Sequence, residues 1–300
     1  MNKASPRCGF VAIVGAPNAG KSTLVNALVG QKVAITSPKA QTTRSRLMGI
    51  AMEGETQIIL IDTPGIFAPR RRLDRAMVAA AWSGAAEADT IALIVDAKAG
   101  LKADIEPMVE QLRARSEPKI LILNKVDVAK KDELLQLAAG LDALLAPTDI
   151  FMISATTGDG VDDLKSALAA RMPEGPWHFP EDQVSDASQR LLAAEVTREQ
   201  LYLQLREELP YASAVATEKY DERKDGSVAI HQQIYVARPT QKAIILGKGG
   251  SRVKSIGEAA RRELGEMLGR KVHLFLHVKV KQKWDEDRGL FEEIGLDWVE

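Results

Sequence analysis

The sequence predicts an α/β domain, a mostly parallel sheet with helices on both faces, followed by a smaller α+β domain. Three observations carry that prediction. Short apolar runs alternate with helix-spaced segments from residue 10 to residue 172, the pattern of strands buried on both faces. A glycine-rich loop separates the first run from the first helix, and ligands of such sheets bind beyond the C-terminal ends of the strands. Pro173-Glu174-Gly175-Pro176 then ends the alternation, and the remaining chain reads helix, two strands, two helices, strand.

Composition narrows the class. Three hundred residues leave room for about two domains. A net charge of −1 advertises no polyanionic partner, so any such patch must be local. Cys8 is the only cysteine, which excludes an intramolecular disulfide and a Cys-rich zinc site and suits a reducing cytosol. MNKASPRCGF holds no apolar stretch of signal-peptide length, and no uninterrupted apolar run approaches a membrane span. A soluble, cytoplasmic protein is expected.

Phe10–Val14 reads as a buried strand. Gly15, Ala16, Pro17, Asn18, Ala19, Gly20, Lys21 and Ser22 then spell G-x-x-x-x-G-K-S, and Thr23 continues into a helix reaching Leu28. A phosphate chain needs inward-pointing backbone N–H groups, a helix N-terminus and one flexible ammonium. Gly15 and Gly20 let the backbone turn, Lys21 can reach the β and γ oxygens, and the Ser22 hydroxyl suits Mg²⁺. A glycine turn before an ordinary helix is the plainer alternative, and the strand–loop–helix context argues against it.

The polar stretch from Gly30 to Arg46 is longer than typical connections. Thr42 and Thr43 are candidates for a hydroxyl that meets Mg²⁺ when a γ-phosphate is present. The sequence does not separate them, and Thr43 is carried forward. Leu47–Met52 and Gln57–Ile61 form a strand pair, and the second runs into Asp62-Thr63-Pro64-Gly65. At that position a D-x-x-G suits an Asp associated with Mg²⁺ and a Gly65 N–H that senses the γ-phosphate. With Lys21 and Thr43, Gly65 completes the expected hydrolytic set. Ile66 follows, where many small GTPases place a water-orienting glutamine. An apolar side chain polarises no water, so either intrinsic hydrolysis is slow or the water is positioned by backbone, ion or partner. Arg70, Arg71 and Arg72 read as a solvated or partner-facing surface.

Strand signals at Ile91–Val95, Ile120–Leu123 and Ile150–Ile153 complete the first domain. Asn124-Lys125-Val126-Asp127 follows the middle one. Asp127 can accept both N1–H and the exocyclic N–H of guanine, a donor pair that adenine lacks. Lys125 can lay its stem along the base, and Asn124 can tie the loop to its neighbours. Ser154-Ala155-Thr156 ends the last strand, with the Ala155 N–H as a candidate partner of guanine O6. The ordered set of loop, D-x-x-G and N-K-x-D reads as a P-loop GTPase domain for GTP and GDP with Mg²⁺.

Ala187–Leu209 reads as an amphipathic helix stopped by Pro210. Tyr211–Tyr220 and Val228–Ala237 form a hairpin through Asp225-Gly226, and Val272–Val280 is a closing strand. Between them Gly247-Lys248-Gly249-Gly250 separates two helices. That order looks like a type II KH domain, whose G-x-x-G loop clamps a single-stranded nucleic-acid backbone. Residues 242–281 carry ten Lys or Arg against three Glu, an excess of seven positive charges, which is an electrostatic footprint for phosphate. Lys242, Gly247, Lys248, Gly249, Gly250, Arg252 and Lys254 are the candidate RNA contacts. Residues 282–300 are acidic, seven against two. The expected domains are 1–175 for GTP, a 176–186 linker, 187–281 for KH and a 282–300 tail.

GAPNAGKST, KAQTTRSR, DTPG, NKVD, SAT, the HFPED connector and GKGGSRVKSIG together resemble the bacterial Era GTPases over nearly the whole chain. The resemblance implies GTP hydrolysis and binding to the 3′ end of 16S ribosomal RNA. It also implies a part in 16S rRNA processing and small-subunit maturation, and a cytoplasmic protein found peripherally at the inner membrane. Ile66 fits the family, which lacks the catalytic glutamine. The family's P-loop motivates a further expectation, that the Asn18 side-chain oxygen helps hold K⁺ near the phosphates. A monomer is expected. Two other readings stay open: a GTPase whose second domain docks protein rather than RNA, and a P-loop kinase or ATPase, against which Asp127 argues.

Overall fold

The computed structural model describes residues 5–39, 41–101 and 105–299. Ala40 of the KAQTTRSR motif and the outermost residues of the expected first domain and tail lie outside that set. The chain divides into two compact units. One takes in Met1–Ala34, Thr43–Arg70 and Met77–Asp186, the other Ile35–Thr42, Arg71–Ala76 and Ala187–Glu300.

In the first unit six strands form one sheet: β1 (Arg7–Val14), β2 (Leu47–Glu53), β3 (Thr56–Asp62), β4 (Thr90–Asp96), β5 (Lys119–Asn124) and β6 (Asp149–Ile153). Their order is β2-β3-β1-β4-β5-β6. Only β2 runs antiparallel to its neighbour. The helices are α1 (Lys21–Val29), α2 (Arg72–Ala86), whose residues up to Ala76 fall in the second unit, α3 (Ile105–Arg113), α4 (Lys131–Leu145) and α5 (Val161–Arg171). Consecutive residues of β1, β3, β4 and β5 are buried irrespective of parity, as helices on both faces require. β1 lies between β3 and β4, so the chain leaves it on one side and returns on the other. The crevice for a ligand opens at such a point, beyond the end of β1.

The connector at 176–186 belongs to this unit. Ile50 N–H donates to Val184 O at 2.8 Å and Met48 N–H to the Asp186 carboxylate at 2.8 Å, which pairs the outer edge of β2. The buried Gln57 side chain accepts from the N–H groups of His178 and Phe179, both at 3.0 Å, and donates to Phe179 O at 2.9 Å. Desolvating that amide is tolerable because its hydrogen-bonding capacity is met.

The second unit holds α6 (Gln189–Gln204), β7 (Ser213–Glu222), β8 (Val228–Val236), α7 (Pro239–Leu246), α8 (Ser251–Leu268), β9 (Val272–Val280) and α9 (Arg288–Glu293). The sheet order is β7-β8-β9, with β8 antiparallel to β7 and parallel to β9. Asp225-Gly226 turns the hairpin: Gly226 has φ +80° and Asp225 Oδ1 accepts from Ser227 N at 3.0 Å. α6 is shorter than its amphipathic pattern predicts. Ser188 caps its start, and it ends at Gln204 rather than Leu209, with Leu205 already extended and Glu207 at φ +54°. Leu205 and Leu209 still reach the core from this irregular segment, beside Leu201, Val215, Ile234 and Ile256. Apolar spacing therefore persisted past the helix itself. The acidic tail is part of the unit, with Trp284, Leu290 and Phe291 buried. Arg72 lies over the Trp298 ring at 4.4 Å and Arg71 pairs with Asp74 at 3.2 Å. Of the arginine triplet, only Arg70 is exposed.

Candidate functional site

The loop between β1 and α1 is built around conformations and contacts that exclude side chains. Gly20 has φ +102°, and a Cβ there would lie 2.2 Å from Asn124 Nδ2. A Cβ on Gly15 would lie 2.4 Å from Ile94 O. α1 starts at Lys21 with no side-chain cap and no acidic residue in its first turn. Its N-terminal N–H groups and dipole are therefore left for an anion. Lys21 folds back over the loop, its Nζ donating to Gly15 O at 3.1 Å and to Ala16 O at 2.9 Å. Burial pulls its ammonium down from 10.5 to about 8, against the opposing pull of Asp62. A buried cation of this kind has a strong preference for a bound anion.

Three oxygens from three separate segments converge beside it. Ser22 Oγ donates to Asp62 Oδ2 at 2.7 Å and lies 2.7 Å from Thr43 Oγ1, which in turn is 3.1 Å from Asp62 Oδ2. Two hydroxyls and one carboxylate form an oxygen-only donor set, the chemistry that suits Mg²⁺ completed by phosphate and water. The structure also separates the two threonines. Thr42 turns away, its Oγ1 donating to Lys39 O at 2.8 Å and its own carbonyl accepting from Arg198.

Gly65 sits against the loop so closely that a Cβ would lie 2.8 Å from Pro17 Cγ and 2.9 Å from Pro17 Cα and N. Ile66 donates its N–H to Gly15 O at 3.1 Å, while its side chain is buried with Val14, Ala81 and Leu93. Thr63 Oγ1 donates to Ile13 O at 2.8 Å and fastens the D-x-x-G turn to β1.

Asn124 links the three base-side motifs. Its Nδ2 donates to Ala19 O at 2.9 Å and its Oδ1 accepts from Ala155 N at 3.0 Å. The Ala155 N–H expected at guanine O6 is thus engaged by Asn124 in this structure, because the SAT turn brings it within reach of that side chain. Lys125 reaches across rather than standing free, donating to Asn18 O and to Asp96 Oδ2, both at 2.7 Å. Asp127 is exposed on a single 3-10 turn, Val126–Val128, with its carboxylate available to a base. The sequence reading missed Asp96. Its signal was its place at the C-terminal end of β4, where the other site motifs also sit.

In the second unit Gly247, Gly249 and Gly250 all have positive φ, +69°, +61° and +79°. A Cβ on Gly247 would press on Arg252 at 2.8 Å. α8 begins at Ser251 without a side-chain cap or an acidic first turn, so its N-terminus favours phosphate. Lys248, Arg252 and Lys254 are exposed around it and Lys242 is half-buried on α7. Lys248, Arg252 and Lys254 are therefore brought to the G-x-x-G end of the α7–α8 pair, with Lys242 further back along α7. Lys39 and Glu199 were not anticipated. The Lys39 ammonium donates to the carbonyls of Tyr202 and Leu205 at the end of α6, and Glu199 accepts from Thr36 N at 2.7 Å. Thr36, Lys39, Gln41 and Thr42 are held by α6 in this way.

Comparison with known proteins agrees with this geometry. Residues 10–125 match the family model described as 50S ribosome-binding GTPase, and 208–285 match the KH domain model. The chain is 64% identical to GTPase Era of Erythrobacter litoralis over 100% of both chains. It is 57% identical to GTPase Era of Rhizobium meliloti, covering 97% of this chain and 93% of that one. Among solved structures, Era in complex with MgGDPNP and nucleotides 1506–1542 of 16S ribosomal RNA superposes with a TM-score of 0.92 at 38% identity, covering 97% and 99% of the two chains. A point variant of Aquifex aeolicus Era bound to GDP·AlF4⁻ superposes with a TM-score of 0.91 at 39% identity, covering 96% and 99%. A GTPase domain followed by a KH domain, matched end to end at these identities, places the chain in the Era family of GTPases.

Proposed function

We propose that this protein is a GTP-hydrolysing switch that binds the single-stranded 3′ end of 16S ribosomal RNA through its KH domain and assists maturation of the small ribosomal subunit. The observation that carries the switch is the oxygen triad of Ser22, Thr43 and Asp62. Those residues would hold Mg²⁺, which when bound neutralises charge on the β and γ phosphates. Lys21 supplies a buried positive charge to the same oxygens, and the loop and α1 N–H groups cradle the chain of phosphates. In this reading the Gly65 N–H senses the γ-phosphate, supported by its close approach to Pro17 of the phosphate loop, and Asp127 reads guanine.

Thr43 follows residues that are held by α6, Thr36 by Glu199, Lys39 by the Tyr202 carbonyl and Thr42 by Arg198. Loss of the γ-phosphate releases Thr43, and those residues then pass the change toward the RNA-binding groove. Ile66 is withdrawn into the core, so no side chain at that position orients water and the switch runs slowly. The Asn18 side chain is part of this reading as a helper of K⁺ at the phosphates. So are a cytoplasmic monomer and a peripheral association with the inner membrane. Among the described residues no helix is long and apolar enough to cross a membrane.

RNA is favoured over a protein partner by the exposed cations around three left-handed glycines. Filter binding of a 16S 3′-end oligoribonucleotide tests this. Lys248→Ala with Arg252→Ala is expected to weaken binding and lower the salt slope by about 2 while sparing GTP affinity. Affinity and slope that both stay at the wild-type values would refute the RNA reading.

A further inference from the structure

The KH sheet has a second face, and its side chains form a surface that the G-x-x-G site does not use. Val272, Leu274, Leu276, Val278 and Val280 of β9 point into the cores beneath the helices. The alternate residues, His273, Phe275, His277 and Lys279, therefore stand on the opposite face. Phe275 pairs with His231 of β8 in the sheet register, and His231 with Lys219 of β7. The His231 and Phe275 rings are stacked, with centroids 4.5 Å apart and planes at 17°. Phe275 is 41% exposed, and it is the one exposed Phe, Tyr or Trp among the described residues. Three of the four histidines in the chain, His231, His273 and His277, surround it.

Stacked rings on neighbouring strands stand upright on the sheet. One face of Phe275 is covered by His231, and the other looks past β9. β9 is an edge strand, so no further strand lies on that side. The inner side of the same strand packs against α7 and α8, which carry the G-x-x-G loop between them. The edge of β9 next to the G-x-x-G helices is therefore also the edge beside the uncovered ring face.

We propose that Phe275 and His231 are a stacking platform for an unpaired base of single-stranded RNA, flanking the segment held by the G-x-x-G loop. The proposal rests on the RNA reading of the KH domain. Charge suits an RNA strand on the β9 side: Lys279 is exposed on β9 and Lys271 at its start. The acidic groups of this face are Glu218 and Asp221 on β7, with Lys219 between them, and Asp287 and Glu293 of the tail, which lie near Tyr235 and of which Asp287 is paired with Lys281. Base–aromatic stacking tolerates any base, because each offers a π-face.

The test compares two oligoribonucleotides from the 3′ end of 16S ribosomal RNA. One is about four nucleotides long, the span a G-x-x-G clamp covers, and the other is extended to about ten. Phe275→Ala is expected to weaken the extended RNA by between about fivefold and about a hundredfold while leaving the short one unchanged. Phe275→Trp should retain the extended affinity, and Phe275→Leu, which keeps apolar bulk without a ring, should lose it. If wild-type protein binds neither RNA, the KH reading falls and takes this proposal with it. If wild type binds both and Phe275→Ala binds both equally well, the platform alone is overturned, as it is if Phe275→Leu matches wild type.

Discussion

Replacing Lys21 by methionine is expected to stabilise the nucleotide-free protein while removing its response to GTP. The ammonium is held charged at pH 7 in a site where its pKa stands at about 8 instead of 10.5. That costs about 3 kcal/mol, at about 1.4 kcal/mol for each tenfold loss of proton affinity. Methionine keeps the length of the stem and removes the charge. It also removes two hydrogen bonds, to Gly15 O and Ala16 O. Those carbonyls keep the N–H groups of Ile66 and Ala19 as donors, so the offset is about 1 kcal/mol and the net gain about 2 kcal/mol.

The sign with pH follows from linkage. Between about 8 and 10.5 the unfolded wild-type chain binds a proton at Lys21 that the folded one has released. Wild-type stability attributable to this residue therefore rises through that window and is flat below it. Chemical denaturation of both proteins without nucleotide, from pH 7 to pH 10.5, should show the methionine variant ahead at pH 7 and the gap closing as pH rises. With Mg²⁺ and GTP at a hundred times Kd, wild type should gain about 2.7 kcal/mol and the variant almost nothing. A variant less stable than wild type without nucleotide, with a gap that does not change with pH, would refute the account of Lys21 as a buried charge waiting for an anion.

Three further outcomes follow from the same site. Gly65→Ala forces a Cβ against the Pro17 backbone, so it should lower the GTP-to-GDP affinity ratio by about tenfold or more, read by competition binding, with GDP affinity little changed. Asp127→Asn replaces a double acceptor with a group that also donates. It should cost about two orders of magnitude in GTP affinity and favour xanthosine triphosphate, and an unchanged guanine preference would show that Asp127 does not read the base. Hydrolysis should run faster in potassium than in sodium buffer if Asn18 helps hold K⁺. Equal rates would remove that role.

Much of the site was legible because its chemistry is local in sequence. A phosphate cradle needs a strand, a glycine turn and a helix start in immediate succession, so Gly15–Ser22 is written in one stretch. The D-x-x-G and N-K-x-D turns likewise follow directly on β3 and β5. The central strands were readable for a related reason, since burial on both faces demands unbroken apolar runs, although β1 begins at Arg7, three residues before its apolar run. Helix α6 was less readable. Leu205 and Leu209 continue the apolar spacing because the core needs them, although the backbone has already left the helix.

The order of the motifs along the chain determined that this protein binds guanine nucleotide and, with the basic G-x-x-G segment, that it carries an RNA-binding domain. Tertiary structure decided between Thr42 and Thr43, adjacent residues of identical type, because only folding shows which hydroxyl meets Ser22 and Asp62. It assigned Asp96 a bracing role, named Ala19 and Ala155 as the partners that Asn124 ties together, and took Ile66 out of the pocket and into the core. It also placed Thr36, Lys39 and Thr42 on α6 and stacked His231 on Phe275, which are 44 positions apart by their numbering. Contacts of that separation depend on sheet register and helix packing, which periodicity along one segment does not encode.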